Sequence, residues 1–477
     1  MANIRAWPWG RGVSFGLVLL LAACSGGTET PPAEGSDMQI DPFSAATDWT
    51  DAPLPDLAVA LRDGTVSSET LVQAYLERIA LIDDPTAGGP GLRSVLTLNL
   101  DALDQARALD GRRASGAPLG ALHGLPILLK DNIESADPIP TTAGALALAD
   151  NVTERDSPLV AGLRREGAVI LGKTNLSQWA NYRSERSLSG WSALGGQVRN
   201  PHILDRNPCG SSSGSAVATA AGLAAGAVGT ETNGSIICPA NVNGIVGFKP
   251  TVGLIPQDRI VPISLSQDTA GPMTRTVRGA AMLLDAMAVD AEPGMFSAPL
   301  EGASLEGVRV GVLRFSVGTQ PAIVDRFEAA LADLSAAGAV LVEIETFEIA
   351  SPQFWQDSRL LLDHEFKASL NAYLADSPAD LPVRSLEALI EFNRQHAGVE
   401  MRLFGQDIFE AAQTTDGLGA EAYLAARERL RRQTREDGID RLLSTHDVEV
   451  LVAPSGPLSP RIDPVNGDVW PDWVGAG

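Results

Sequence analysis

Three consecutive serines, Ser211-Ser212-Ser213, stand near the start of a stretch from Gly210 to Gly234 built almost wholly of Ser, Gly and Ala, with no charge before Glu231. Small residues let neighbouring backbone approach closely, and helix packing alone would account for them. Two features add chemistry. The serines sit where a helix would begin, at a terminus with free amides and a dipole that favours negative charge. Thr232-Asn233-Gly234-Ser235 is a turn-prone segment after a predicted strand, 227–230. A side chain on such a turn stands beside unpaired backbone N–H groups, which is what an oxyanion hole requires. Serine hydroxyls so placed are candidate nucleophiles for acyl transfer, and they need a base.

The lysines offer one. Of 36 Lys plus Arg, four are lysine: Lys130, Lys173, Lys249 and Lys367. Arginine stays protonated, whereas a desolvated lysine can give up its proton near neutral pH. Lys130 ends the apolar run Leu125-Pro126-Ile127-Leu128-Leu129, which would bury its stem, and Asp131 and Asn132 follow as possible orienting partners. Composition alone weighs this equally against a lysine snorkelling at a strand end. Histidine gives no better base: none of His123, His202, His364, His396 and His446 has a Ser-His-Asp context. No Gly-x-Ser-x-Gly elbow surrounds a candidate nucleophile. His123 reads as structural.

The elements that must position these groups alternate between strand and helix. Apolar spacing predicts a helix over 67–81, with Ser67 or Ser68 as N-cap and Glu69 in its first turn. Ser157-Pro158 reads as N-cap and first helical residue, and the run 168–172 as a strand after that helix. Later, 308–315 reads as a strand, 324–337 as a helix ended by Gly338, 339–344 as a strand, and 448–453 as a further buried strand. The pattern predicts an α/β fold with a sheet covered by helices on both faces. No internal repeat and no transmembrane span is read.

Several segments, in order, resemble the amidase signature family of Lys–Ser–Ser amidases. They are Leu122-His123-Gly124-Leu125-Pro126 through Lys130-Asp131-Asn132; Gly172-Lys173-Thr174-Asn175-Leu176; Cys209-Gly210-Ser211-Ser212-Ser213-Gly214-Ser215; Gly229 through Ile236; and Gly247-Phe248-Lys249-Pro250-Thr251. Ser211 and Ser235 lie 24 positions apart, as the family pattern has them. The resemblance implies a central mixed sheet. It makes Ser235 the nucleophile, Ser211 a bridging serine after a cis peptide, and Lys130 a neutral base. It further implies oxyanion binding by the backbone of Thr232, Asn233 and Gly234, and no metal or cofactor.

Two departures refine it. Many members carry Arg where Ile237 stands, and Ile237 cannot pair with a substrate carboxylate. With Cys209 and Cys238, this points to the bacterial peptide-amidase branch and to neutral amides such as C-terminal peptide amides. The chain also stops at Gly477, so the family's last strands after 448–453 are expected to be missing.

Composition bounds the partners. A net charge of −23 repels nucleic-acid phosphates and anionic lipid. Arg5 and Arg11, the apolar run 13–23 and the ending Leu21-Ala22-Ala23-Cys24 read as a secretory signal. That ending resembles a bacterial lipobox. The expected organisation is a signal peptide over 1–23, a tether over 24–46 after a lipid-modified Cys24, and one amidase domain over 47–477. The protein would be exported and held at a bacterial membrane only by its lipid. Cys209 and Cys238 fit either a disulfide or two buried thiols. The competing functions are the glutamine-hydrolysing component of a tRNA-dependent amidotransferase and a catalytically silent lipoprotein. The lipobox argues against the first, whose chemistry is cytosolic and needs partner subunits, and the intact triad argues against the second; ammonia release from aliphatic, aryl and C-terminal peptide amides tests the substrate.

Overall fold

The apolar run before Lys130 forms the strand Pro126–Lys130, with all five residues buried. The computed structural model that shows this describes residues 49–470 apart from 290, 349–350 and 352. The expected signal peptide, Cys24 and the tether lie outside the described residues. Two parallel neighbours, Val169–Thr174 and Gly226–Glu231, flank the strand and are buried along their whole length. A strand buried at every residue is covered on both faces, as parallel strands require. Antiparallel strands extend the sheet at both sides. Val95–Leu98 pairs with Val169–Thr174, and Thr269–Thr274 lies between Gly226–Glu231 and the short Val246–Gly247. The result is the mixed central sheet of an α/β fold.

Helices form where the sequence carries their signals. Ser67 caps Ser68–Ile82, its hydroxyl accepting the Thr70 N–H at 3.0 Å. Leu71, Val72, Tyr75 and Ile79 then face the core. Pro158 opens Pro158–Arg165 directly after Ser157, where its missing N–H costs nothing. Together with Leu54–Asp63 and Val277–Met287 these helices cover Ile127, Leu128, Leu129, Ile170 and Val228 in one cluster. The small-residue stretch supplies Ser213–Ala220 and the strand Gly226–Glu231. Its smallness has a specific use at Gly214. A Cβ there would stand 2.3 Å from the carbonyl oxygens of both Asn175 and Ser94.

The later βα pattern folds as a separate three-stranded parallel sheet, Val340–Ile344, Arg309–Leu313 and Val450–Val452 in that order, with Pro321–Ala336 beside it. This corrects one expectation. The run 448–453 is not a buried strand: Val450 is exposed, and Leu451 and Val452 are half-buried. It is the edge of a small sheet, and a short apolar run cannot by itself distinguish an edge strand from a covered one. The longest described helix, Phe354–Asp376, was not read in the sequence. It buries Phe366, Leu370 and Leu374 in a second cluster with Trp179 and Phe409.

Candidate active site

Lys130 is the last residue of its strand, and its side chain is fully buried. Its Nζ lies 2.7 Å from Ser211 Oγ, 2.9 Å from Thr230 Oγ1 and 3.2 Å from the Thr230 carbonyl oxygen. Asn132, one strand-end further, donates to the same Thr230 hydroxyl at 3.0 Å. A neutral amine has two N–H bonds and one lone pair. In that form the two Thr230 oxygens can take the N–H bonds, which leaves the lone pair toward the Ser211 O–H. Burial pushes the Lys130 pKa down to about 7, against an upward pull from the Asp268 and Glu231 carboxylates.

The other lysines also hold assigned acceptors. Lys173, equally buried, donates to the Ile133 carbonyl and Thr141 Oγ1, both at 2.6 Å, and burial lowers its pKa despite the attraction of Asp131. Lys249 donates to the Thr232 carbonyl at 2.7 Å, beside the candidate nucleophile. Lys367 donates to the carbonyls of Gln413 and Thr415 and is structural. His123 is structural as read, its Nε2 lying 3.1 Å from the Leu109 carbonyl.

Backbone contacts bring together the loops that carry Ser211 and Ser235. The Ser212 N–H donates to the Ser235 carbonyl at 3.1 Å, and the Ser177 N–H to the Ser211 carbonyl at 3.0 Å. The Gly210–Ser211 peptide bond is cis. Ser212 ties the same loops again, donating to the Thr230 carbonyl and accepting the Thr230 N–H. Cys209 and Cys238, left open by the sequence, are joined in a disulfide. It links the segment two residues before Ser211 to the helix Ile237–Asn243 just after Ser235.

The turn carrying Ser235 is built around Glu231. This buried carboxylate accepts the N–H groups of Gly234 at 2.8 Å, Ile236 at 2.7 Å and Ile237 at 3.0 Å, and Lys249 Nζ lies 3.7 Å away. The Gly234 N–H is therefore engaged below the turn. Of the three expected oxyanion residues, Thr232 and Asn233 are the ones whose N–H groups carry no such bond to Glu231. Thr230, Glu231 and Lys249 were not read as site residues. A threonine and a glutamate ending an otherwise small and apolar strand were the available signal.

A pocket of about 340 Å³ opens over Ser235. Ala180, Tyr182, Ile263, Leu362, Trp470 and the disulfide give it a largely apolar wall, and Asn181, Ser189, Thr232 and Asn233 add polar groups. Among the described residues no Lys or Arg lines it, and the charged residue in its wall is Asp468. Ile237 does not line it. The expectation of a pocket without a cation thus rests on the whole lining, not on that residue. Asp468 comes from the segment after Val450–Val452 and accepts the Ser189 N–H at 3.0 Å and Asn207 Nδ2 at 2.7 Å. Among the described residues, no group of His, Cys, Asp and Glu is placed to hold a metal ion, and no helix is long and apolar enough to cross a membrane.

A family model described as Amidase matches residues 70–466. A probable amidase of Arabidopsis thaliana is 38% identical over 445 residues, covering 89% of this chain and 83% of that protein. The crystal structure of native peptide amidase from Stenotrophomonas maltophilia is similar at a TM-score of 0.80 and 46% identity, covering 87% of this chain and 86% of that one. The glutamyl-tRNA(Gln) amidotransferase of Salinispora tropica has a component that is 37% identical over 372 residues, 73% of this chain and 72% of that protein.

Proposed function

The chain belongs to the amidase signature family and is an amide-hydrolysing enzyme, and on that premise we propose that it cuts neutral carboxamides, C-terminal peptide amides foremost, through an acyl-enzyme on Ser235. Ser235 Oγ attacks the amide carbon and passes its proton to Ser211, whose own proton moves to the Lys130 lone pair. The backbone at Thr232 and Asn233 receives the oxyanion. The protons then return through Ser211 to the leaving nitrogen, ammonia departs, and water hydrolyses the ester by the same relay. The observation that carries this reading is the buried Lys130 amine, 2.7 Å from Ser211 Oγ with both of its N–H bonds accounted for by Thr230.

The substrate class rests on the apolar, cation-free pocket. A carboxylate buried there without a partner would cost several kcal/mol, and Asp468 adds repulsion. The similarity to a peptide amidase, at 46% identity, supports the same class, and the amidotransferase components similar to this chain stand further off at 32–39%. The test compares specificity constants for a C-terminal peptide amide and for malonamate. The peptide amide should be preferred, and a preference for malonamate overturns the substrate class. Ser235→Ala should lower ammonia release by on the order of a thousand-fold or more. Turnover near that of wild type would remove Ser235 as nucleophile.

The site placement extends to the cell. Export with a lipid on Cys24 is supported by the Leu-Ala-Ala-Cys ending and by a disulfide that suits an oxidising compartment. Cys24→Ala in the full chain should move the protein from the membrane fraction to the soluble one. An unchanged distribution would refute the anchor.

A further inference from the structure

Asp268 touches neither serine, yet it is tied to the turn that carries Ser235. Its Oδ1 accepts the Thr232 hydroxyl at 2.5 Å, and its Oδ2 accepts the N–H groups of Ile263 at 2.7 Å and Ser264 at 2.8 Å. All three partners donate, which is the pattern an ionised carboxylate satisfies. The next residue, Thr269, is the first of a buried strand and pairs with Glu231, so the sheet fixes Asp268 beside the Thr232 end of the turn. Thr232 is held from its other side by Lys249, which donates to its carbonyl. Thr232 and Ile263 both line the pocket.

We infer that Asp268 is a positioning residue for amide hydrolysis, clamping the Thr232–Ser235 turn to the pocket wall at Ile263 and supplying a negative field to Lys130. The inference rests on the reading of Lys130 as the base. A general base has to be free of its proton and still basic enough to take one. Burial provides the first property and, acting alone, would erode the second. Ala270, two residues on, pairs with Thr230, whose oxygens meet the Lys130 amine, so the charge of Asp268, with that of Glu231, works against burial and keeps the amine basic. The other charged groups near this pair are accounted for. Lys249 sits against Glu231, and Asp131 is set against Lys173 one strand over. Glu365 faces Asp268 through Ser264 and Ser266, both of which donate to it. Burial raises the Asp268 pKa, the three donors pull it back, and the Glu365 charge adds to the rise, so the net direction is upward.

The test is the pH dependence of kcat/KM on a C-terminal peptide amide, using the full chain. Asp268→Asn keeps an acceptor oxygen and removes the charge. It should lower kcat with little change in KM and move the acid limb of the profile down by about 1 pH unit, because a lysine that loses a nearby anion gives up its proton more easily. Asp268→Glu should bring the limb back toward its wild-type position. A purely structural role would depress the rate and leave the limb where it was, and that result overturns the inference. Thr232→Val cuts the clamp and spares the charge. Its kcat should fall with the limb unmoved, and a wild-type kcat overturns the clamp even if Asp268→Asn does not fold. A wild-type enzyme without any acid limb, or a Lys130→Arg variant of normal activity, would instead refute the base itself.

Discussion

Lys130 occupies a place that arginine could not fill. Its fully buried amine meets three oxygens within 3.2 Å, and a planar guanidinium has no lone pair to offer Ser211. Lys130→Arg should therefore be nearly as damaging as Lys130→Ala, each losing about 100-fold or more in kcat/KM. An arginine variant with substantial activity would reduce Lys130 to an electrostatic anchor. The sign of the pH effect follows from which form works. In the proposed relay the neutral amine is the base; burial brings its pKa down to about 7, and protonation below that value removes it. Acylation should fall as pH drops through the neutral range, and a flat rate from pH 5 to 9 with acylation limiting would count against the relay. Lys130 was visible as a candidate because lysine is rare in this chain and this one ends an apolar run. Thr230 was not visible, because its role depends on a contact across the sheet with a residue a hundred positions away.

At the level of elements, the strand Pro126–Lys130 and the helix Ser213–Ala220 bring the site together, and the seat of that helix against Ser94 and Asn175, at the ends of Val95–Leu98 and Val169–Thr174, depends on glycine. Gly214→Ala would place a methyl group against two backbone carbonyls that cannot swing aside. It should cost about 1–3 kcal/mol in stability, read as a lower urea midpoint, as overpacked cores do. A variant as stable as wild type would mean that the helix can shift. Periodicity and capping made much of this layer legible: Ser67 caps its helix, Pro158 starts one, and the apolar runs at 168–172 and 339–344 become strands a residue or two from their expected ends. Other elements hid for physical reasons. Thr269–Thr274 contains Gly271 and Pro272, residues that argue against a strand with neighbours on both sides, and only the sheet around it overrides them. The oxyanion turn was read as a row of free amides, but Glu231 folds back beneath it and takes the Gly234 N–H. Local sequence shows the turn and not the carboxylate's direction.

Across the whole molecule, the site depends on a segment far from its serines. Ser459 donates to the Asn207 carbonyl at 2.6 Å, the Asn207 N–H donates to the Pro460 carbonyl, and Asp468 accepts from Asn207 Nδ2. Asn207 in turn accepts the Cys209 N–H at 2.8 Å, two residues before Ser211. A chain ended after Leu458 leaves every residue of the six-stranded sheet in place while removing this brace and the pocket walls Asp468 and Trp470. It should still unfold cooperatively on heating yet lose most ammonia release. Full activity would show the brace to be dispensable. The disulfide has a consequence of another kind, for anyone who wishes to label the enzyme. It closes a covalent ring over 209–238 that contains both Ser211 and Ser235, and no Lys or Arg occurs between Arg206 and Lys249. Trypsin thus releases the two serines on one fragment. A single cut inside the ring leaves one mass until the sulfurs are reduced. An inhibitor adduct can be assigned to Ser235 and not Ser211 only after reduction, with a protease that does not need a basic residue.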